Sequence, residues 1–180
     1  MADMKVSELI RDIHRNAVDH GWWDDERGKP EIIALIHSEW SEALEEARAG
    51  RPLRWYGDGG KPEGAAVELI DGVIRIFDYI GRITAEADVS VYLDGDVVSL
   101  YAALPDGAGG GDIATWIAWL HWHTSYALCY QPDEQIVKTL LDTAGLALKW
   151  VQEHDIDPID VLMEKHEYNK SRPYRHGKLF

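Results

Sequence analysis

Glu39, Glu42, Glu45 and Glu46 place four carboxylates in the eight residues EWSEALEE, within the segment HSEWSEALEEARAG (37–50). Residues three or four apart on a helix share a face. Glu39, Glu42 and Glu46 are therefore expected together, roughly opposite the face set by Ile33, Trp40 and Leu44. The segment 64–87 repeats the arrangement, because Glu68, Asp71, Arg75 and Asp78 form one polar stripe between Val67, Ile70, Val73, Ile74 and Phe77. A single ExxE pair is ordinarily a solvated face. A second pair on an otherwise apolar helix, after a loop of 14 residues (51–64) that lets the two helices lie antiparallel, points to carboxylates brought against each other. Carboxylates that close resist ionisation unless cations occupy the space. An all-oxygen donor set without His or Cys suits a hard ion, Mg²⁺ or Mn²⁺.

The elements that carry these residues are legible from periodicity. Leu9, Ile10, Ile13, Ala17 and Val18 give helical spacing over 7–20, with Gly21 as a stop. Pro30 fits the first turn of a second helix that ends at Gly50. A third helix is expected over 64–87, a fourth from Asp112 as N-cap to Tyr130, a fifth over 133–154 and a sixth over 158–169. The segment 51–64 reads as a loop. Residues 88–111 change character: VSVYLDGDVVSLY suggests a short hairpin about Asp94-Gly95, and PDGAGGG a flexible run.

With 180 residues, 46% of them hydrophobic, the chain suits a single domain over 1–180. Its one cysteine, Cys129, excludes an internal disulfide and a multi-cysteine zinc site. Met1 to Lys5 lead straight into an amphipathic segment, and no apolar run is long enough to span a bilayer. A cytoplasmic protein is the expectation. A formal net charge of −14 argues against nucleic acid or an anionic membrane as partner. The charge is uneven: residues 165–180 carry five of the 18 basic residues and only one of the 32 acidic ones. Tyr168, Pro173, Tyr174 and Phe180 are interleaved with those charges, which suggests a tail that docks.

With E39-W-S-E42 on one helix and E68-L-I-D71 on the next, the chain resembles the all-α nucleoside triphosphate pyrophosphohydrolases, the superfamily of MazG proteins and dimeric dUTPases. The loop GKPEG (60–64) and the closing EKHEYNKSRPYRHGK (164–178) look like its MazG-like branch of phages and bacteria. The resemblance covers roughly 30–80 and 158–178. It implies an all-α, antiparallel helical bundle of the MazG-like type, with 88–111 as an irregular insertion. It also implies Mg²⁺-dependent hydrolysis of a nucleoside triphosphate between the α- and β-phosphates, in a homodimer or homotetramer. Glu39, Glu42, Glu68 and Asp71 would hold Mg²⁺, with Mn²⁺ as a substitute, and Glu46 would join Glu39 and Glu42 in catalysis. Lys165, Asn169, Arg172, Arg175 and Lys178 of the tail, with Lys61 in the loop, would hold the phosphates. Ser38 departs from the two successive acids of many members.

Other features are assigned to packing first. Trp116, Trp119, His123 and Tyr126 stack at helical spacing, as core or oligomer-contact residues usually do. Trp22, Trp23 and Trp55 border a base pocket only as a secondary reading, and His121 and His123 point apart. A di-iron bundle needs Glu-x-x-His, and every Glu here lacks a His three residues later. The His154-Asp155 dyad of a metal phosphohydrolase sits just before Pro158, in an expected loop. A helical protein that binds a nucleotide without cleaving it is the non-enzymatic alternative.

Overall fold

The computed structural model describes residues 5–86, 93–130 and 132–177. Seven α-helices form the body among them: α1 (Val6–Asp19), α2 (Lys29–Arg48), α3 (Ala65–Glu86), α4 (Ser99–Ala102), α5 (Ile113–Cys129), α6 (Asp133–Glu153) and α7 (Pro158–Lys170). The all-α reading holds. Helix starts follow their local chemistry. Pro30 lies in the first turn of α2, the Asp112 carboxylate accepts from the Thr115 amide at 2.8 Å, and Asp157 accepts from Ile159 at 2.9 Å. Gly21 ends α1 with φ of +77°, and the Tyr174 ring lies where its Cβ would be.

α3 is the central element, packed against α1, α2, α6 and α7. Val67, Leu69, Ile70, Val73, Ile76, Phe77 and Ile80 are all buried, so almost no side of this helix meets water. Burial of that many apolar side chains is the main source of stability, at roughly 1.5–3 kcal/mol each. α2 packs on α3 and α5 and buries Ile33, Ile36, Trp40 and Ala43 in the shared core, and Trp40 donates its indole N–H to Thr124 of α5 at 2.9 Å. The imidazole Nδ1 atoms of His37 on α2 and His121 on α5 approach to 2.7 Å, a second tie between those helices that His121's place in the sequence did not announce.

Three expectations need correction. The loop 51–64 contains a two-residue antiparallel pair, β1 (Trp55–Tyr56) with β2 (Pro62–Glu63). The hairpin expected after residue 88 has its first arm outside the described residues except for Leu93, and its second arm is not a strand: a turn at 97–98 leads into α4. Val97 and Tyr101 bury there, and α4 packs on α6 with the Leu100 carbonyl over Gly145. A helical turn satisfies this apolar contact where a solitary hairpin would not. The run PDGAGGG, expected to be flexible, is stapled: Lys149 pairs with Asp106 at 2.8 Å, Glu153 accepts from the Gly107 amide at 2.9 Å, and Trp116 donates to the Gly110 carbonyl. The aromatic stripe of α5 divides, with Trp116 buried and Trp119, Trp122 and Tyr126 exposed.

The α2–α3 contact depends on Gly72, where an added Cβ would sit 2.2 Å from the Trp40 ring. Overpacking of a filled core costs about 1–3 kcal/mol, and each kcal/mol shifts the melting temperature of a chain this size by roughly 2–4 °C. Gly72→Ala is expected to lower the melting temperature by several degrees in a calorimetric scan, whereas Gly59→Ser, at an exposed tip with open space, is expected to lower it less.

Candidate metal centre

A helix buried on nearly every side forces its polar residues indoors, where each needs a partner. The stripe of α3 meets this requirement one residue at a time. Asp71 pairs with the Lys165 ammonium at 2.8 Å, and Arg75 donates to Glu39 at 2.5 Å. Asp78 accepts from His14 at 2.7 Å and from the Trp23 indole at 2.8 Å, while the Arg82 guanidinium lies over the Trp23 ring. Glu68 is the exception. Its residue is only 6% exposed, and it accepts no hydrogen bond and forms no ion pair among the described residues.

Glu68 faces two other carboxylates. Oxygens of Glu39, Glu42 and Glu68 all lie within 4.8 Å of one another, with Glu39 buried at 5% exposure and Glu42 exposed. Burial pushes the Glu68 carboxyl up to about 8, and Asp71, Glu39 and Glu42 add to the rise against the pull of Lys165. Burial likewise raises Glu39, with Arg75 opposing. Two buried acids and one exposed acid, all oxygen donors with an opening to solvent on the Glu42 side, fit a hard divalent cation. Glu68, a nearly buried residue with no donor or ion pair among the described residues, leaves its carboxylate room for a positive partner.

The other residues singled out in the sequence fall into distinct groups. Asp71 is engaged by Lys165 and is not among the three converging acids. Glu46 accepts from Arg51 and from the Trp55 indole, so it anchors the 51–64 loop and stands outside the cluster. The face expected to unite Glu39, Glu42 and Glu46 therefore splits, because Glu39 turns into the α2–α3 contact while Glu46 turns to the loop. Glu45 pairs with Arg48 at the surface.

Among the basic candidates, Lys165 is on α7 and only 1% exposed; it also donates to the Pro62 carbonyl at 3.3 Å. Asn169, one turn further on the same helix, has a buried Oδ1 with no hydrogen-bond partner. The Arg172 guanidinium has no partner among the described residues. Arg175 docks on the α1–α2 connection through the Gly21 carbonyl and Asp25, beside a hydrogen bond from Tyr174 to Asp24. Lys61 pairs with Glu63 at 3.2 Å. Lys178 lies outside the described residues. The described part of the tail meets the body at two separate places, Lys165 on Asp71 and Arg175 on the α1–α2 connection.

A second feature lies further along α3. A cleft of about 720 Å³ is lined by His14, Trp23, Arg27, Tyr79, Arg82 and Asp133. Asp78, which holds His14 and Trp23, follows Asp71 by seven residues, or roughly 10 Å of helix. Neither Trp23 nor His14 stands out in the sequence as part of a shared site, since their common partner Asp78 is 55 to 64 residues away and no local pattern links them. Family models, curated proteins and solved structures offer no match to this chain.

A carboxyl whose folded value lies above its unfolded one favours folding while protonated and loses that contribution as pH rises through the folded value. For Glu68 the window runs from 4.5 to about 8. In metal-free solution the wild type is expected to lose stability across that range, and Glu68→Gln to lose less. Urea unfolding in chelator at pH 5 and pH 8 measures the difference.

Proposed function

We propose that this chain is a Mg²⁺-dependent nucleoside triphosphate pyrophosphohydrolase, which splits a ribo- or deoxyribonucleoside triphosphate between the α- and β-phosphates into the monophosphate and pyrophosphate. The observation that carries the reading is Glu68, a nearly buried residue whose carboxylate has no donor among the described residues, converging with Glu39 and Glu42. Such a site has no use for an anion by itself. It can accept a polyphosphate only together with cations that bridge the two sets of negative charge.

Glu39, Glu42 and Glu68 would hold Mg²⁺, with Asp71 within the same stripe, and Mn²⁺ would substitute. When bound, the cation supplies charge neutralisation and polarisation of phosphoryl oxygens. Arg75 fixes the Glu39 carboxylate in place through its 2.5 Å hydrogen bond, so this acid is positioned before any substrate arrives. Glu42 is the acid open to solvent and has no ion pair among the described residues; it orients the attacking water and takes up its proton. Lys165, Asn169 and Arg172, in order along α7 and just beyond it, present an ammonium, an amide and a guanidinium to the phosphates. The cleft at Trp23 and His14, about two turns further along α3, is where the nucleoside would lie, with the indole as a stacking face.

Purified protein with Mg²⁺ and a panel of ribo- and deoxyribonucleoside triphosphates is expected to release monophosphate and pyrophosphate in equal amounts. Glu42→Gln and Asp71→Asn are each expected to lower kcat/KM by about 100-fold or more. Binding without turnover on every nucleotide of the panel would mark the chain as a nucleotide-binding protein. Trp23→Ala is expected to raise KM more than it lowers kcat, and to change the ranking of bases.

A further inference from the structure

Formal charge at the site can be counted from the residues in contact. Glu39, Glu42, Glu68 and Asp71 bring four negative charges; Arg75 and Lys165 bring two positive ones, leaving −2. The two cations are held differently. Arg75 is tied to Glu39, which belongs to the converging trio. Lys165 is tied to Asp71, which does not. An ammonium has three donors. Lys165 uses one on Asp71 and one on the Pro62 carbonyl, and sits over the Tyr168 ring with a further donor uncommitted. Its charge is nearly sealed from water at 1% exposure, so it needs an anionic partner wherever it turns.

We infer that Lys165 is a built-in stand-in cation: while no phosphate is bound it occupies Asp71 and keeps that acid out of the cation site, and a bound phosphate draws it off and releases Asp71 to the metal. The inference rests on the proposed metal and phosphate chemistry and adds an order to it. In the resting protein the site takes one divalent cation on Glu39, Glu42 and Glu68. The full set of four acids becomes available only when phosphate oxygens replace Asp71 as the partner of Lys165. Cation and phosphate then strengthen each other's binding by one common factor, as linkage requires.

The exchange conserves what burial demands. Lys165 gives up one carboxylate oxygen and gains a phosphate oxygen, and Asp71 gives up an ammonium and gains a metal ion. Neither charge is left alone at any stage, which keeps the switch inexpensive in a place where an unpaired charge would be severely penalised. Arg75 cannot play this part. Its carboxylate partner is already in the trio, and its removal would disorder a ligand rather than add one.

The test is Mg²⁺ binding by isothermal titration calorimetry, in phosphate-free buffer, to the full chain. Lys165→Met is expected to bind Mg²⁺ about tenfold more tightly than wild type or better, because a competing positive charge is gone and Asp71 is free. Lys165→Arg, which keeps the charge, is expected to stay near the wild-type affinity. The double variant Lys165→Met, Asp71→Asn is expected to lose the gain. Lys165→Gln, whose amide can still donate to the Pro62 carbonyl, serves if the Met variant does not fold. A folded Lys165→Met or Lys165→Gln that binds Mg²⁺ no more tightly than wild type overturns the inference and leaves the proposed activity standing. No Mg²⁺ binding by wild type or variants overturns both.

Discussion

Everything at this site follows from the burial of α3. A helix packed against four others buries apolar residues on most of its circumference, and its polar stripe is left only partly open to water. The cost of an unpaired buried charge exceeds the value of almost any single contact, so the stripe dictates what its neighbours must supply. α2 supplies Glu39 to Arg75, α7 supplies Lys165 to Asp71, and α1 with the connection after it supplies His14 and Trp23 to Asp78. Glu68 is left without a donor from any of them. An acid in that position destabilises the fold once ionised unless an external cation completes it, and two further carboxylates have been brought beside it rather than kept away.

The surrounding loops hold this arrangement from outside. Glu46 receives Arg51 and Trp55, while Glu164 of α7 receives Arg54 at 2.8 Å and the Tyr56 hydroxyl at 2.8 Å. The loop between the two acidic helices is thereby pinned at one side to α2 and at the other to α7. That second tie, with the Pro62 carbonyl on Lys165, sets the height of α7 against α3 and so places the ammonium beside Asp71. On the far side, Asp12 of α1 accepts from His166 and from Lys170, fixing the same helix to the opposite wall. Acids that look alike in the sequence therefore divide between a site and its scaffold, and the division is made by which of them meets a basic side chain.

Local signals carried most of the secondary structure. The apolar period of Leu9, Ile10 and Ile13, the Pro30 start, the Asp112 cap and the Gly50 stop each act within a turn or two, so their reading needed no tertiary knowledge. The paired carboxylates were legible because Glu39/Glu42 and Glu68/Asp71 repeat one spacing on successive helices. Partners remote in sequence were not legible. Nothing local distinguishes Glu42 from Glu46, and only the fold shows that Arg51 and Trp55 claim the latter. Lys165 was legible only as one of the basic residues of the tail, and its burial against Asp71 depends on the packing of α7 on α3. The described part of the 88–111 segment went the same way, since α4 forms through contact with α6 and the expected Asp-Gly turn favours a hairpin when considered alone.

The central claim is that Glu39, Glu42 and Glu68 form a divalent-cation site completed by a metal ion. A crystal grown without phosphate and soaked in Mn²⁺, with anomalous differences collected at the manganese edge, locates the ion directly. The account predicts one strong peak touching oxygens of all three glutamates, with Lys165 still paired to Asp71. A map with no peak among these carboxylates at saturating Mn²⁺, or with the manganese bound only at acids elsewhere on the surface, would contradict it.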